Sequence, residues 1–293
     1  MAVYELKNDG VAIRIHSKGA ELKSLRKPGT GTEYLWQGDP AFWGRSSPVL
    51  FPFVGKTDRN EFRTKGKTYS MTQHGFARDM EFELLSQTED EIWFVLRDSQ
   101  QTREIYPYGF VLKLGYRLLD CGVEVCWQVE NESDEELPFS IGGHPAFYCP
   151  IEEGAEREDY LIRFDAREKI MSTRINENGL ATDTDEKDVY PLKDGYLPIT
   201  EHLFDKDALV IENEQAKEVA LCKPDGSAYL TVTMEAPLFG VWSPPKRNAP
   251  FICIEPWYGR CDRVGYEGDL KGREWGNLLE PGKVWKASYQ IYV

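Results

Sequence analysis

Along the first third of the chain, apolar and polar residues alternate in short runs. Val11, Ile13 and Ile15 alternate with Ala12 and Arg14, and Ala20 to Leu25 alternates more loosely. Asp9-Gly10, Lys18-Gly19 and Pro28-Gly29 punctuate these runs, so the pattern predicts strands joined by tight turns. Residues 57–72 predict a short hairpin. From Glu81 to Glu130 two more hairpins are predicted, Phe82 to Leu85 with Ile92 to Leu96 and Val111 to Leu119 with Val123 to Val129. In the last of these, Val123, Val125, Trp127 and Val129 make one apolar face, and Glu124, Cys126, Gln128 and Glu130 make the other.

Beyond Pro150 the chain turns polar and irregular as far as about Thr200, with only brief strands such as Tyr160 to Phe164. Part of this region is expected to cover a site. A short apolar strand follows Asp207, and strands resume at Glu218 to Lys223 and Tyr229 to Glu235. Apolar runs follow at Phe239 to Pro245 and Phe251 to Gly259, and a further strand closes the chain from Trp285 to Val293. Sustained helical periodicity is scarce, and the chain reads as β throughout.

Composition narrows the picture. The 293 residues, 41% of them hydrophobic, show no linker or shift in composition, so a single domain over 1–293 is expected. A formal charge of −14 argues against a nucleic-acid surface or an anionic membrane as partner. The acid gathers in Glu130 to Glu136, Glu152 to Asp159 and Asp183 to Asp188, among turn formers, as solvated loops do. Six cysteines show neither a C-x-x-C pair nor a disulfide spacing, which reads as buried thiols in a reducing compartment. The N-terminus lacks an apolar signal core and no run is long enough to cross a bilayer, so a cytoplasmic protein is expected. Phosphate-loop, dinucleotide, zincin and nucleophile-elbow motifs are all missing.

The candidate chemistry lies in a few segments. In Leu137-Pro138-Phe139-Ser140-Ile141-Gly142-Gly143-His144-Pro145-Ala146-Phe147-Tyr148, two glycines suggest close backbone approach to a ligand and a proline fixes the turn after His144. Only His16, His74 and His202 compete with it as imidazole acids or bases, and His16, at a strand end, reads as structural. Glu255 ends an almost wholly apolar run and precedes Pro256, Trp257 and Tyr258. Burial there raises a carboxyl pKa, as in a poised acid or base. In the irregular run from Phe42 to Lys56, Arg45 and Lys56 either reach a site or sit on the surface. His74 and Arg78 share a face if a strand runs through Gly75, and converge if the chain turns there. Asp207, just before an apolar strand, is a further candidate.

Together, RSSPVLFPFVGK (Arg45 to Lys56), HGFAR (His74 to Arg78), GHPAF (Gly143 to Phe147) and IEPWY (Ile254 to Tyr258) resemble the aldose 1-epimerase family, of galactose mutarotase-like fold. The resemblance implies a large antiparallel β-sandwich and interconversion of the α and β anomers of an aldose. It implies Glu255 as general base on the anomeric hydroxyl, His144 as general acid on the ring oxygen, and His74 on the ring-oxygen side. Arg45, Lys56, Arg78 and Asp207 would read hydroxyls, while Trp242 or Trp257 would carry the apolar sugar face. No metal or redox cofactor is implied, and a monomer or homodimer is expected. HGFAR is shared with relatives acting on hexose 6-phosphates, so a phosphorylated hexose is one alternative. A non-catalytic sugar-binding or sugar-sensing protein is another.

Overall fold

The alternating runs assemble into two large antiparallel sheets in the computed structural model, which describes residues 1–293. A nine-stranded sheet runs Tyr196–Pro198, Leu161–Phe164, Glu218–Cys222, Ala228–Met234, Val284–Tyr292, Gly122–Glu130, Val111–Leu119, Glu91–Arg97 and Glu83–Gln87. An eight-stranded sheet runs Lys187–Pro191, Lys169–Thr173, Leu209–Glu212, Leu238–Trp242, Phe251–Tyr258, Ile141–Gly143 and Val49–Leu50, with Ala146–Tyr148 also pairing to Phe251–Tyr258. Val3–Lys7, Ala12–His16 and Glu21–Arg26 form a smaller third sheet.

Strand periodicity explains the packing. Val123, Val125, Trp127 and Val129 all point inward, as their alternation predicts. Trp127 meets Tyr258 of the other sheet edge-on at 6.3 Å, and Phe164 meets Phe239 at 6.3 Å. Residues from all three sheets join one cluster of 60 buried apolar side chains. At roughly 1.5–3 kcal/mol for each large side chain fully buried, this cluster is the main force holding the sheets face to face.

Two features differ from the sequence reading, and a third decides between alternatives that it left open. A short helix, Gln100–Ile105, interrupts the β pattern. Its start is a capping box, in which the Ser99 hydroxyl accepts from the Thr102 N–H and the Thr102 hydroxyl accepts from the Ser99 N–H. Residues 150–200 hold more order than expected, because Lys169–Thr173 and Lys187–Pro191 form the outer strands of the eight-stranded sheet. And the chain turns at His74 and Gly75, both at φ near +70°, rather than running through as a strand.

Beyond the Phe251–Tyr258 strand the chain is held by buried charge. The guanidinium of Arg260, wholly buried, lies 2.8 Å from Glu212 and also pairs with Glu274, while Arg273 meets Asp262 at 2.5 Å. The Asp262 N–H donates to the Lys56 carbonyl at 2.9 Å, which ties this segment to the irregular run before it. Removing one partner of such a pair costs about 3–5 kcal/mol, because the other charge is left buried and alone. No helix is long and apolar enough to cross a membrane.

Candidate active site

The Phe251–Tyr258 strand carries two faces. Ile252 and Ile254 enter the main core, whereas Phe251, Cys253, Glu255 and Trp257 project to the opposite side. Its neighbour is interrupted: Gly142 pairs with Trp257, and Ala146 pairs with Cys253. The register is the same on both sides of the break, so His144 stands opposite Glu255, where no ladder pair forms. The resulting side-chain pair is close, with His144 Nε2 3.3 Å from Glu255 Oε2. Backbone bonds fix the interrupted segment, since the His144 N–H donates to the Pro48 carbonyl and the Ile254 N–H to that of Pro145.

The two glycines before His144 do not bring backbone to a ligand, as the sequence had suggested. A Cβ on Gly142 would stand 2.7 Å from the Trp257 ring, and one on Gly143 would stand 2.8 Å from the Tyr289 hydroxyl of the other sheet. They are glycines because the aromatic rings around the site press on the backbone there.

Glu255 and His144 open onto a cavity of about 450 Å³. Arg45, Lys56, His74, Arg78, Asp207, Trp242 and Trp257 line it too, so the structure brings all nine expected residues together. Trp43, Gln73 and Glu177 also line it and were not singled out from sequence. Trp43 stacks on the His144 ring at 4.6 Å, and Trp242 meets that ring edge-on at 5.5 Å. Its signal was present in Phe42-Trp43-Gly44-Arg45, an aromatic pair beside a cation, but nothing local distinguished it from core. Glu177 comes from the region expected to cover the site. Of the other imidazoles, His202 pairs with Asp205 at the surface, and His16 lines an adjacent groove.

Burial governs the charges. The Glu255 carboxyl is pushed well above the usual carboxylate range by desolvation and by the neighbouring Asp207 charge, with the Trp257 indole acting weakly the other way. Burial also lowers His144 to about 3, helped by the Arg78 and Arg45 charges. Burial thus favours the protonated carboxyl and the neutral imidazole. Moving that proton to His144 gives the carboxylate–imidazolium form, favoured by the 3.3 Å contact.

His74 is also held neutral, by burial and the nearby His144, Arg78, Arg45 and Lys56. Its Nδ1 accepts the Gly55 N–H at 3.1 Å, so the neutral ring carries its proton on Nε2 as a donor. The turn at Gly75 makes this possible by seating the backbone against Phe51, where a Cβ would lie 2.3 Å from the Phe51 carbonyl oxygen. Arg78, lowered by burial to about 10, stays charged at neutral pH and donates to the Gln73 carbonyl at 2.6 Å. Arg45 pairs with Asp79 at 2.9 Å, and the Lys56 ammonium donates to the Asn178 carbonyl at 3.0 Å.

A family model for aldose 1-epimerase matches residues 2–292. The chain belongs to the aldose 1-epimerase family. It is 30% identical to the chromosomal protein LacX of Lactococcus lactis subsp. lactis over 99% of this chain and 98% of that protein. The crystal structure of a galactose mutarotase related enzyme from Lactobacillus acidophilus is 34% identical, covers 99% of this chain and 97% of that one, and superposes with a TM-score of 0.93. A galactose mutarotase-like protein from Lactobacillus casei ATCC 334 is 28% identical, covers 99% of both chains and has a TM-score of 0.91. The two packed antiparallel sheets are thus the fold of this epimerase family, and a sugar is the substrate class that membership implies.

Proposed function

We propose that the protein interconverts the α and β anomers of a hexose by acid–base opening and closing of the ring. The observation that carries this reading is the cross-strand pair of Glu255 and His144 in a sugar-sized cavity, beside a second imidazole, His74, poised to donate. Ring opening needs a proton removed from O1 and one given to O5, and closure on the other face reverses both transfers. In the carboxylate–imidazolium form, Glu255 takes the O1 proton while His144 protonates O5, and the C1–O5 bond breaks to leave the open-chain aldehyde. Rotation about C1–C2 presents the other carbonyl face. His144 then recovers the O5 proton as Glu255 returns one to O1. The His74 Nε2–H supports the ring-oxygen side, Arg45, Lys56, Arg78 and Asp207 read hydroxyls, and Trp242 or Trp257 faces the C–H surface of the ring.

A phosphorylated hexose is a second reading, with an observation of its own. Arg45 and Arg78 also border a neighbouring groove of about 400 Å³ that holds Lys18 and Lys23, where four cations face two carboxylates, Asp79 shared by the two guanidinium groups and Glu21 3.5 Å from Lys23. A phosphate extending past Arg45 would meet convergent cations there. Anomer exchange measured by NMR on free aldoses and hexose 6-phosphates, with and without Glu255→Gln, tests both. Acceleration by the native protein alone is expected, and the best substrate decides between hydroxyl and phosphate. Sugar binding with no acceleration by the native protein would leave a non-catalytic sugar-binding protein.

A further inference from the structure

Cys253 lies two residues before Glu255 on the same strand face, beneath the catalytic pair and away from the cavity lining. Each of His144, Cys253 and Glu255 offers one ligand atom, all three within 4.8 Å of one another, and all three residues are buried. We propose that this trio is an inhibitory site for a soft divalent cation of the zinc type, which enters through the sugar cavity and takes the acid and the base out of use.

The donor set is that of a zinc site. Imidazole nitrogen, thiolate sulfur and carboxylate oxygen bind zinc at about 2.0–2.3 Å, which places tetrahedral ligands roughly 3.3–3.8 Å apart. The 3.3 Å between His144 Nε2 and Glu255 Oε2 already fits, and the sulfur has about 1 Å to close. One polar atom at the site lacks a partner: Glu255 Oε2 is buried without a hydrogen bond, although His144 Nε2 approaches it to 3.3 Å. Such atoms are costly unless something satisfies them. Thiolate and carboxylate together neutralise a divalent cation, so the bound centre adds no net charge next to Arg45 and Arg78.

Three protein ligands leave a fourth tetrahedral position for a water or a sugar hydroxyl, and His144 and Glu255 both line the cavity from which either would come. Binding replaces the S–H bond with a sulfur–metal bond and releases the thiol proton, together with the carboxyl proton, to solvent. No electron transfer is involved. The loss of turnover rests on the acid–base reading above, whereas the binding itself does not.

Titration of the whole protein with cadmium chloride, followed through the ultraviolet thiolate-to-cadmium charge-transfer band, separates the two. One band per chain is expected, weakened by saturating sugar. Cys253→Ser and Cys253→Ala are expected to abolish the band and weaken cadmium binding about tenfold or more, while sugar turnover without metal stays unchanged. Zinc chloride is expected to inhibit anomer exchange reversibly, with the inhibition relieved by a chelator and blunted in both variants. A band that persists in the two folded variants, or no band in the native protein, overturns the site. A Cys253-dependent band in a protein that accelerates no sugar leaves the site standing and sinks the epimerase reading instead.

Discussion

The cavity has two kinds of wall. One is the central strand Phe251–Tyr258 with its interrupted neighbour, where sheet register sets His144 opposite Glu255. The other is made of irregular segments around Trp43, Lys56, His74 and Glu177, held by scattered contacts outside the two large sheets, such as those of the Lys56 ammonium to the Asn178 carbonyl and of the Gly55 N–H to the His74 ring. Groups that exchange protons need placement within a few tenths of an ångström, and a sheet ladder supplies it. Groups that read hydroxyls tolerate adjustment, and loops are where such specificity varies. On the proposed mechanism, the proton-transferring pair sits on the rigid wall and most of the hydroxyl-reading groups on the loop wall.

The sharpest test lies on the rigid wall. Glu255→Gln and His144→Asn keep shape and remove proton transfer, so each is expected to lower kcat about 10²–10⁴-fold with sugar affinity nearly unchanged. Rapid anomer exchange by NMR and sugar binding by calorimetry measure the two sides. Comparable losses in affinity would mean that the pair binds rather than reacts.

The support beneath the pair comes next. Gly143→Ala drives a methyl group toward the Tyr289 hydroxyl, and overpacking of this kind costs about 1–3 kcal/mol. Because the shift falls one residue before His144, kcat is expected to drop along with the denaturation midpoint. A stable variant with full turnover would show that the register does not position the acid. On the loop wall, Lys56→Ala is expected to raise KM severalfold with kcat within about twofold, as removal of uniform binding does. Equal falls in kcat on both walls would erase the distinction between them.

Much of the rigid wall was legible in sequence. The strands announce themselves by alternation, and Glu255 stands out because a carboxylate ends an apolar run. The pairing of His144 with Glu255 was not legible from spacing, since 111 positions separate them and only the shared register brings them together. Gly142 and Gly143 were misread for the same reason: the rings that press on them come from Trp257 and Tyr289, far along the chain. The Gln100–Ile105 helix was missed because six residues show too little periodicity, although Ser99 and Thr102 carried its cap. Trp43 gave no sign that its ring would cover His144, because stacking is a tertiary fact.

Acid stability probes the walls from another side. His144 is held neutral when folded, with its pKa lowered to about 3, while the unfolded chain takes up that proton near 6.5. The folded state therefore loses stability as pH falls from about 6.5 toward 3, because only the unfolded state binds the proton across that window. His74 contributes in the same direction. Glu255 has the opposite sign, since its raised pKa favours the folded state at low pH and costs stability as pH rises above the ordinary carboxylate range. Thermal melts across pH 3–7 are expected to fall less steeply toward acid for His144→Asn than for the native chain. An unchanged slope would place the charged imidazole in the folded state at low pH.

The smallest effect is expected from His16, and it tests how far the recognition wall extends. His16 lies with Lys18 and Lys23 in the groove that shares Arg45 and Arg78 with the main cavity, and burial with the Lys23 charge lowers its pKa. A free hexose carries no anion for the cations of that groove. His16→Asn is then expected to change kcat and KM by less than about twofold, a loss of under roughly half a kcal/mol. A phosphorylated hexose changes the expectation, because its anion would enter the groove and a neutral replacement there would raise KM for the phosphate ester alone. Parallel kinetics of His16→Asn on a hexose and its 6-phosphate separate the cases: silence on both confines recognition to the main cavity, and a loss on the phosphate extends it past Arg45.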